Sequence, residues 1–324
     1  MPSGLSLPRA EPLLRRGGGR TALVLSGSIL AGATLVGVAP ARAQDIEPRA
    51  FSNAPIGVNF LVGGYGYTSG GLSTDPAVPV TDAEFTMTSG LLGYARVINV
   101  FGMSGKIDAV VPYSRLTGDA LFRGDPVTRD VRGFSDPRFR ISVNFIGSPA
   151  LTLDEFLGWE QDWIVGAALQ VSAPLGQYDN QRIVNLGTNR WSFRPQLGAS
   201  KAFGPLTLEV MGSATFFTDN TDFFGGQTRE QAPIYAVEGH VIYSLGRGIW
   251  VSADATWFTG GRTTIDGERN DDAQRNWRFG TTLSLPLGVH YSVKLFASRG
   301  VAARTRNDYD LVGIALQYRW GGGL

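Results

Sequence analysis

The sequence predicts an all-β fold: a transmembrane antiparallel β-barrel of about 12 strands, with both termini on the periplasmic side. Three observations support this prediction: an export signal at the start of the chain, repeated stretches in which apolar and polar residues alternate, and connections that are long and short in turn. Alternation gives each strand one face for lipid and one for a polar lumen. Closure into a barrel leaves no unpaired strand edge, which a bilayer does not tolerate.

The last predicted strand, residues 309–320, shows the pattern most clearly. Its even positions, from Val312 to Trp320, are apolar and end in two aromatic residues, whereas its odd positions include Gln317 and Arg319. Aromatic side chains at the end of an apolar face suit a membrane–water interface. A half-buried strand of a soluble β-sandwich would show similar alternation, so the prediction depends on repetition along the chain and on export.

Export is indicated by the first 43 residues. Three arginines between positions 15 and 20 precede the uncharged, mostly apolar stretch 21–39, and the segment 41–43 (Ala-Arg-Ala) fits the small-x-small rule for cleavage. The stretch is long enough for a membrane anchor. Its glycines and serines and the cleavage site favour a signal peptide over residues 1–43, which would direct the mature chain to the bacterial outer membrane.

The charge of the mature chain follows from this cleavage. Removal of residues 1–43 takes five arginines and one glutamate from a precursor with 29 basic and 28 acidic residues. The remaining 24 basic and 27 acidic residues give a net charge of −3, so no nucleic-acid partner is expected.

The absence of cysteine is compatible with an oxidising compartment. With two histidines and no cysteine, neither a transition-metal site nor a cofactor is predicted.

The first four predicted strands are 56–69, 84–96, 102–113 and 134–145. In the third strand, Lys106 and Asp108 alternate with apolar residues, and in the fourth strand Arg138 and Arg140 do the same. These four charged side chains are therefore predicted to face the lumen. The charged segment 115–133 between the third and fourth strands is predicted to be a loop.

The next four predicted strands are 162–173, 190–201, 206–217 and 233–244. Their predicted lumen-facing residues include Arg194, Glu209, Glu238 and His240, each opposite a face of aromatic and aliphatic side chains. The connection 147–161 before these strands is long where the alternation calls for a short turn. Its leucines and phenylalanine stand among acidic residues, which predicts a short amphipathic helix.

The last four predicted strands are 249–259, 276–286, 290–299 and 309–320. Asp254, Arg278, Lys294 and Arg319 are predicted to face the lumen. The predicted strands have roughly 10 to 14 residues, enough to span a membrane when tilted. An even number of strands and short turns at one end place both termini in the periplasm. Residues 56–320 then form the barrel, and 321–324 form a C-terminal tail.

The predicted lumen face carries seven cations and four anions. One interpretation is a polar lumen with a mild preference for anions, because rings of charge set the selectivity of a pore. The alternative is a salt-bridged filling of a narrow barrel. Eight strands leave a filled interior and sixteen an aqueous channel, so twelve strands are intermediate.

Glu238, His240 and Asp254 lie on one face of two adjacent predicted strands. A turn centred near Gly246 would place Glu238 opposite Asp254, whereas a slip by two residues would place His240 there. An acid–base pair beside Ser252 could suggest hydrolysis. A hydrogen-bonded network in the lumen explains the same residues and is favoured, so no catalytic residue is predicted.

Two loops contain residues predicted to act on solutes. The first loop could fold toward the pore as a constriction, or its aromatic residues could form part of a belt at the rim. The second loop could offer an apolar capture surface, since exposed aromatic clusters often mark binding sites. The residues are Asn185, Asn189, Arg190 and Trp191 in the first loop, and Phe223 and Phe224 in the second.

The N-terminal segment, residues 44–55, has two interpretations: a disordered periplasmic tail or a plug of the lumen. Twelve extended residues reach at most about 40 Å, which exceeds the ~25 Å apolar band of such barrels. In the plug interpretation, its three charged residues would pair with inward-facing charges, while Ile46 and Phe51 would narrow the path.

Several segments give the chain a resemblance to a known family. They are 47–60, 133–140, 174–179, 185–195, 231–235, 258–261 and 317–320. Together they resemble the outer-membrane barrel family called “putative MetA-pathway of phenol degradation” over nearly all of residues 45–320. The resemblance implies a transporter-like barrel and the uptake of small aromatic compounds.

The predicted function is passive uptake of small hydrophobic or aromatic compounds, by capture at external loops and diffusion through a narrow polar lumen. The alternatives are a structural or adhesive barrel with a closed lumen and, with less support, an outer-membrane hydrolase. The expected partners are outer-membrane lipids, the solutes, and the barrel-assembly machinery during biogenesis.

Overall fold

The computed structural model describes residues 46–71, 80–122, 124–302 and 309–324. The predicted signal peptide therefore lies outside the described residues. In chain order, the elements are β1 (Val58–Gly71), β2 (Val80–Val100), β3 (Met103–Phe122), β4 (Asp125–Phe134), β5 (Arg138–Ile146), α1 (Leu153–Leu157), β6 (Trp163–Ser172), β7 (Ser192–Phe203), β8 (Leu206–Phe217), β9 (Asn220–Phe223), β10 (Gln227–Gln231), β11 (Ile234–Gly246), β12 (Ile249–Gly260), β13 (Thr263–Ile265), β14 (Glu268–Arg269), β15 (Gln274–Leu287), β16 (Tyr291–Ala302) and β17 (Asp310–Gly321).

Twelve of the described strands close into one antiparallel barrel, which confirms the predicted fold class. Around the barrel they follow chain order: β1, β2, β3, β5, β6, β7, β8, β11, β12, β15, β16 and β17. β1 pairs with β17 from Val58↔Gly321 to Ser69↔Asp310, and this pairing closes the circle. Each barrel strand is thus paired on both sides, as a lipid-embedded sheet requires.

The two ends of the barrel differ in their connections. Turns of two or three residues join β2 to β3, β7 to β8, β11 to β12 and β15 to β16, all at the end where β1 begins and β17 ends. The long connections lie at the opposite end. The connection from β5 to β6 is the exception, and it contains the five-residue helix α1 at the position predicted for a helix. No helix in the described part of the chain has the length and apolar character needed to span a membrane.

The segment 115–133, predicted to be a loop, is instead a β-hairpin, so that prediction is wrong. β3 continues to Phe122 and pairs with β4 as far as Phe122↔Asp125. The exposed face of this hairpin carries the ion pair Arg115–Asp130, at 2.8 Å, instead of apolar residues. The sequence criterion required an apolar face and therefore missed it. The loops predicted at 218–232 and 260–275 also contain strands, β9, β10, β13 and β14, which form a separate four-stranded sheet.

The two faces of the barrel wall have the predicted character. In β17, the outward side chain of Leu316 is 49% exposed, whereas its neighbour Gln317 is 3% exposed. In β11, Val241 is 50% exposed and His240 is 4% exposed. An apolar outer surface and a mainly buried inner surface therefore alternate along each strand.

Candidate functional site

Residues 46–55 of the N-terminal segment lie inside the barrel, at the end near the chain termini. Arg140 Nε donates to Asp108 Oδ2 at 2.9 Å, and Arg140 Nη1 donates to the carboxylate of Glu47. Lys106 Nζ donates to the carbonyl of Ala50 at 2.9 Å. Lys106 and Arg140, two of the predicted lumen residues, therefore bind the segment through charge-assisted hydrogen bonds.

Arg49 of the segment contacts the opposite wall. Its backbone N–H donates to Glu209 Oε2 at 2.6 Å, and its Nη2 donates to Ser244 Oγ at 3.2 Å. Its guanidinium carbon lies 5.2 Å from the ring centre of Trp250, within the range of a cation–π interaction. Glu209 also accepts a hydrogen bond from Ser200 at 3.1 Å. The segment is thus bonded across the lumen, from β3 and β5 to β8, β11 and β12.

Phe51 anchors the segment in a recess floored by glycine. The side chain is 5% exposed and packs with Ile164 and Met211. A Cβ added at Gly166 would lie 2.5 Å from Phe51 Cδ1, and one added at Gly198 would lie 2.4 Å from Phe51 Cε2. Real Cβ atoms do not approach so closely, so the phenyl ring fits only because both wall positions are glycine.

The long connection between β5 and β6 contacts the chain where the N-terminal segment ends. The backbone N–H of Ile56 donates to the carbonyl of Leu151 at 2.8 Å. Helix α1 follows at once and begins with a capping box between Thr152 and Glu155. The hydrogen bond from the Thr152 backbone N–H lowers the pKa of Glu155 below its ordinary value. This connection therefore contacts the chain at the end of the N-terminal segment as well as joining β5 to β6.

A second buried network lies on β7, β11 and β12. Arg194 Nη2 donates to Glu238, and both side chains are buried. His240 Nδ1 lies 2.8 Å from Asp254 Oδ1, and Ser252 Oγ donates to Asp254 Oδ2 at 2.9 Å. The serine hydroxyl therefore bonds to the carboxylate and not to the imidazole. This is the geometry of a structural network, since a nucleophilic serine needs a base that accepts its proton.

The sequence is compatible with either Glu238 or His240 opposite Asp254, and the register of β11 and β12 decides between these two alternatives. His240 lies directly opposite Asp254, and Glu238 lies opposite Thr256. The turn consists of residues 247 and 248, C-terminal to Gly246, and a register shift between Ser244 and Gly246 adjusts the pairing by one further residue.

The remaining predicted lumen residues also face inward. Arg138 and Lys294 are each 7% exposed. Arg278 is 2% exposed, and its guanidinium carbon lies 3.9 Å from the ring centre of Tyr309. Arg319 Nε donates to a backbone carbonyl in the turn between β15 and β16. The structure thus places all twelve predicted lumen residues on the inner face, divided between the two networks and these individual contacts.

The predicted residues of the first loop hold that loop against neighbouring elements. Asn185 bonds to the backbone of its own loop at 2.9 and 3.0 Å, and Asn189 Nδ2 donates to a β9 side chain at 2.9 Å. Arg190 is 3% exposed and lies 4.4 Å from the ring centre of Phe217. Trp191 is 45% exposed.

The two phenylalanines of the second loop have different environments. Phe223 is 4% exposed, with the guanidinium of Arg229 at 5.1 Å from its ring centre. Phe224 lines a pocket at the loop end of the barrel. Next to them, Tyr178 donates to the carbonyl of Asp222 at 3.0 Å, and burial raises the pKa of Tyr178.

Sequence reasoning missed an apolar strip on the inner wall. Its members lie on β1, β2, β3 and β17 and belong to one buried cluster. The sequence pattern that could have revealed the strip is that these strands are apolar on both faces. In β2, for example, Leu91 faces inward and is 6% exposed, while its neighbour Leu92 faces outward and is 58% exposed. The apolar strip consists of Val62, Phe85, Met87, Leu91, Val110, Leu116 and Ala315.

The loop-end pocket, here called the mouth pocket, has a volume of about 260 Å³. Its walls are the inner faces of β2, β3 and β4, residues 181–184 of the first loop, and Phe224. Phe85 and Leu116 belong to both the mouth pocket and the apolar strip. The pocket therefore borders the apolar strip. Across the described ranges, no three His, Cys, Asp or Glu side chains are grouped so that they could hold a metal ion.

Comparisons with solved structures identify the fold. An outer membrane channel from Pseudomonas putida F1 matches with a TM-score of 0.72 and 20% identity, covering 85% of this chain and 99% of that chain. The transport unit of the autotransporter AIDA-I from Escherichia coli matches with a TM-score of 0.47 and 9% identity, covering 81% and 90%. The first similarity shows the same barrel fold.

Sequence comparison identifies the family. No curated protein matches the chain with significant similarity. The family described as “Putative MetA-pathway of phenol degradation” matches residues 63–319. This match covers most of the chain, and the protein therefore belongs to that family.

Proposed function

We propose that the protein is an outer-membrane channel for the passive uptake of small hydrophobic or aromatic compounds. The observation that carries this proposal is the apolar strip together with the mouth pocket, which shares Phe85 and Leu116 with it. An apolar solute that enters the mouth pocket gains roughly 25 cal/mol for each Å² of apolar surface removed from water. A sugar or an inorganic ion gains nothing from the same contact. Membership of the phenol-degradation family agrees with this choice of solute.

The proposed location and orientation follow from the barrel's two ends. Residues 1–43 direct export and are cleaved, the barrel-assembly machinery inserts residues 56–320, and the exposed apolar outer face contacts lipid. The end with short turns and both termini lies in the periplasm, because bacterial barrels carry their longer loops outside. The mouth pocket then faces the exterior.

We further propose that the N-terminal segment, residues 44–55, plugs the periplasmic end. The contacts that Glu47, Arg49 and Phe51 make with the inner wall support this proposal. Solute that has travelled along the apolar strip leaves when this plug moves or loosens. A structural barrel with a closed lumen is the second candidate, which the buried Arg194–Glu238 pair favours.

A deletion strain tests the proposal. Labelled toluene, benzyl alcohol, hexane, glucose and phosphate are supplied at low concentration, and initial uptake is measured with and without the wild-type gene. The channel proposal predicts slower uptake of toluene and benzyl alcohol in the deletion strain, with glucose and phosphate unchanged. Equal uptake of all five compounds in both strains would favour the closed structural barrel.

A further inference from the structure

We infer that the outer face of the β3–β4 hairpin binds the phosphate of a lipid headgroup in the external leaflet, through Arg115 and Arg132. The inference rests on the proposed location in an outer membrane, because the hairpin must lie at the external end. It adds a binding site on the lipid side of the wall, away from the lumen and the mouth pocket, and it can be tested without any measurement of uptake.

The outward side chains of β2, β3 and β4 form rows that change in character toward the loop end. On β3, the outward side chain of Val111 lies opposite Leu92 of β2. The next outward residue of β3, Tyr113, lies opposite Phe134 of β4, and their rings meet edge to face with centres 5.2 Å apart. An apolar row followed by an aromatic row marks the external edge of the hydrocarbon layer on these strands.

Arginine occupies the next outward row. Arg115 lies directly opposite Arg132, two positions beyond Tyr113 and Phe134, and both arginine side chains are exposed. Two positions along a strand correspond to about 7 Å, so the two guanidinium groups lie in the layer of headgroups just outside the hydrocarbon. A guanidinium at this depth suits phosphate, which it binds through two parallel hydrogen bonds.

The two arginines carry more positive charge than their neighbour neutralises. Arg115 donates to Asp130 twice, from Nε to Oδ1 at 3.1 Å and from Nη2 to Oδ2 at 2.8 Å. Arg132 forms no ion pair within the ranges that the structure describes. Like charges directly opposite each other in a sheet are destabilising. An anion bound between the two arginines removes that cost, and a lipid phosphate supplies the anion at this depth.

The other acidic residues of this face lie too far away to cancel the attraction. Glu84 and Asp119 lie opposite each other, two rows beyond the arginines. Four positions along a strand place them about 13 Å from the arginine row. That distance exceeds the screening length of about 8 Å at physiological ionic strength. The arginine row therefore attracts phosphate, whereas the acidic row keeps phosphate away from the tip of the hairpin.

A lipid fits this face better than a soluble anion does. The aromatic and apolar rows directly below the arginines contact acyl chains, so a phosphate joined to acyl chains covers both surfaces at once. Free phosphate makes only the charged contact. Near a membrane surface, each arginine changes the binding of an anionic lipid by about fivefold.

The test measures the binding of lipid A to the purified full-length mature chain in detergent micelles by native mass spectrometry. Lipid A carries phosphate on an acylated disaccharide, and its dephosphorylated form is the control ligand. The variant Arg115→Gln/Arg132→Gln should bind lipid A about tenfold more weakly and the dephosphorylated form as before. The matched control is Arg96→Gln, at an exposed arginine near the short-turn end of β2, which should bind lipid A as the wild type does.

Asp130→Asn separates charge from the shape of the hairpin. It removes the acidic neighbour and leaves both arginines in place, so lipid A should bind about fivefold more tightly. Weaker binding to this variant would show that the Arg115–Asp130 pair only shapes the hairpin, and would overturn the phosphate site. Migration on gels before and after heating verifies that each variant is folded.

Three other results would also overturn the inference. They are lipid A binding unchanged in the folded double arginine variant, an equal loss in Arg96→Gln, and displacement of lipid A by inorganic phosphate at equal concentration. Normal toluene uptake combined with any of these results would refute this inference alone. Lipid A binding as expected, by a protein that takes up no apolar solute, would refute the proposed function and leave the lipid site in place.

Discussion

Replacement of Phe51 by alanine should release the N-terminal segment while leaving the barrel folded. The ring is 5% exposed, lies over Gly166 and Gly198, and packs against Ile164 and Met211. Removal of a buried phenyl ring costs about 3–5 kcal/mol. Because the ring is buried only when the segment is docked, this cost lowers the ratio of docked to released segment by about 10² to 5 × 10³. The strand pairing of the barrel is unaffected, because Phe51 belongs to no strand.

Two assays follow the release. Conductance in a planar bilayer should increase, and hydrogen exchange in residues 46–55 should become faster, as measured by mass spectrometry. The control is Phe139→Ala, which removes a phenyl ring that is 47% exposed on the outer face. Unchanged conductance and unchanged exchange in a folded Phe51→Ala variant would refute the reasoning.

The recess itself provides a reciprocal test. Gly198→Ala places a methyl group 2.4 Å from Phe51 Cε2 and should displace the ring. Its effect on conductance should resemble that of Phe51→Ala, and the double variant should add little to either single change. An additive double variant would mean that the two residues act independently.

Three further predictions concern the wall and the lumen. Leu316→Arg places a charge on the lipid face and should lower the free energy of unfolding in vesicles by about 2–4 kcal/mol. The control is Leu175→Arg, at a loop side chain that is 70% exposed, which should change this free energy by less than about 0.5 kcal/mol. Equal effects of the two variants would contradict the assignment of faces. Arg194→Met leaves the buried carboxylate of Glu238 without this guanidinium and should lower the free energy of unfolding, measured by urea titration, by about 3–5 kcal/mol. The double variant Arg194→Met/Glu238→Leu should regain much of that stability, because the buried charge is removed as well. A double variant as unstable as the single one would argue against a stabilising role of the pair. The seven cations and four anions predicted on the inner face should give a weak anion preference in reversal-potential measurements, reduced at high salt by screening, and clear cation selectivity would contradict it.

The strand faces could be predicted because each strand carries its own evidence. A period of two in one stretch, as in β17, specifies which side chains share a face, whatever the neighbouring strands do. The requirement that the lipid side be apolar then identifies the outer face. The same reasoning failed for the β3–β4 hairpin, whose exposed face is charged.

The contacts inside the barrel could not be predicted in the same way. Glu47 and Arg140 are 93 positions apart, and Arg194 and Glu238 lie on strands that are not neighbours in the wall. Such pairs depend on the curvature of the barrel and on the reach of long side chains across it. The apolar strip differs for another physical reason: a polar inner face is the expectation for such a barrel, whereas the strands of the strip are apolar on both sides.

The most direct test of the central claim changes the apolar strip and measures uptake. A triple variant, Met87→Gln, Leu91→Asn and Val110→Thr, keeps the side-chain shapes while making the strip polar, and heat-modified migration on gels verifies that it folds. The account predicts that initial uptake of labelled toluene in the complemented deletion strain falls at least severalfold, while ion conductance of the purified variant does not fall. Toluene uptake equal to that of the wild type in a folded triple variant would contradict the claim that the strip carries apolar solutes.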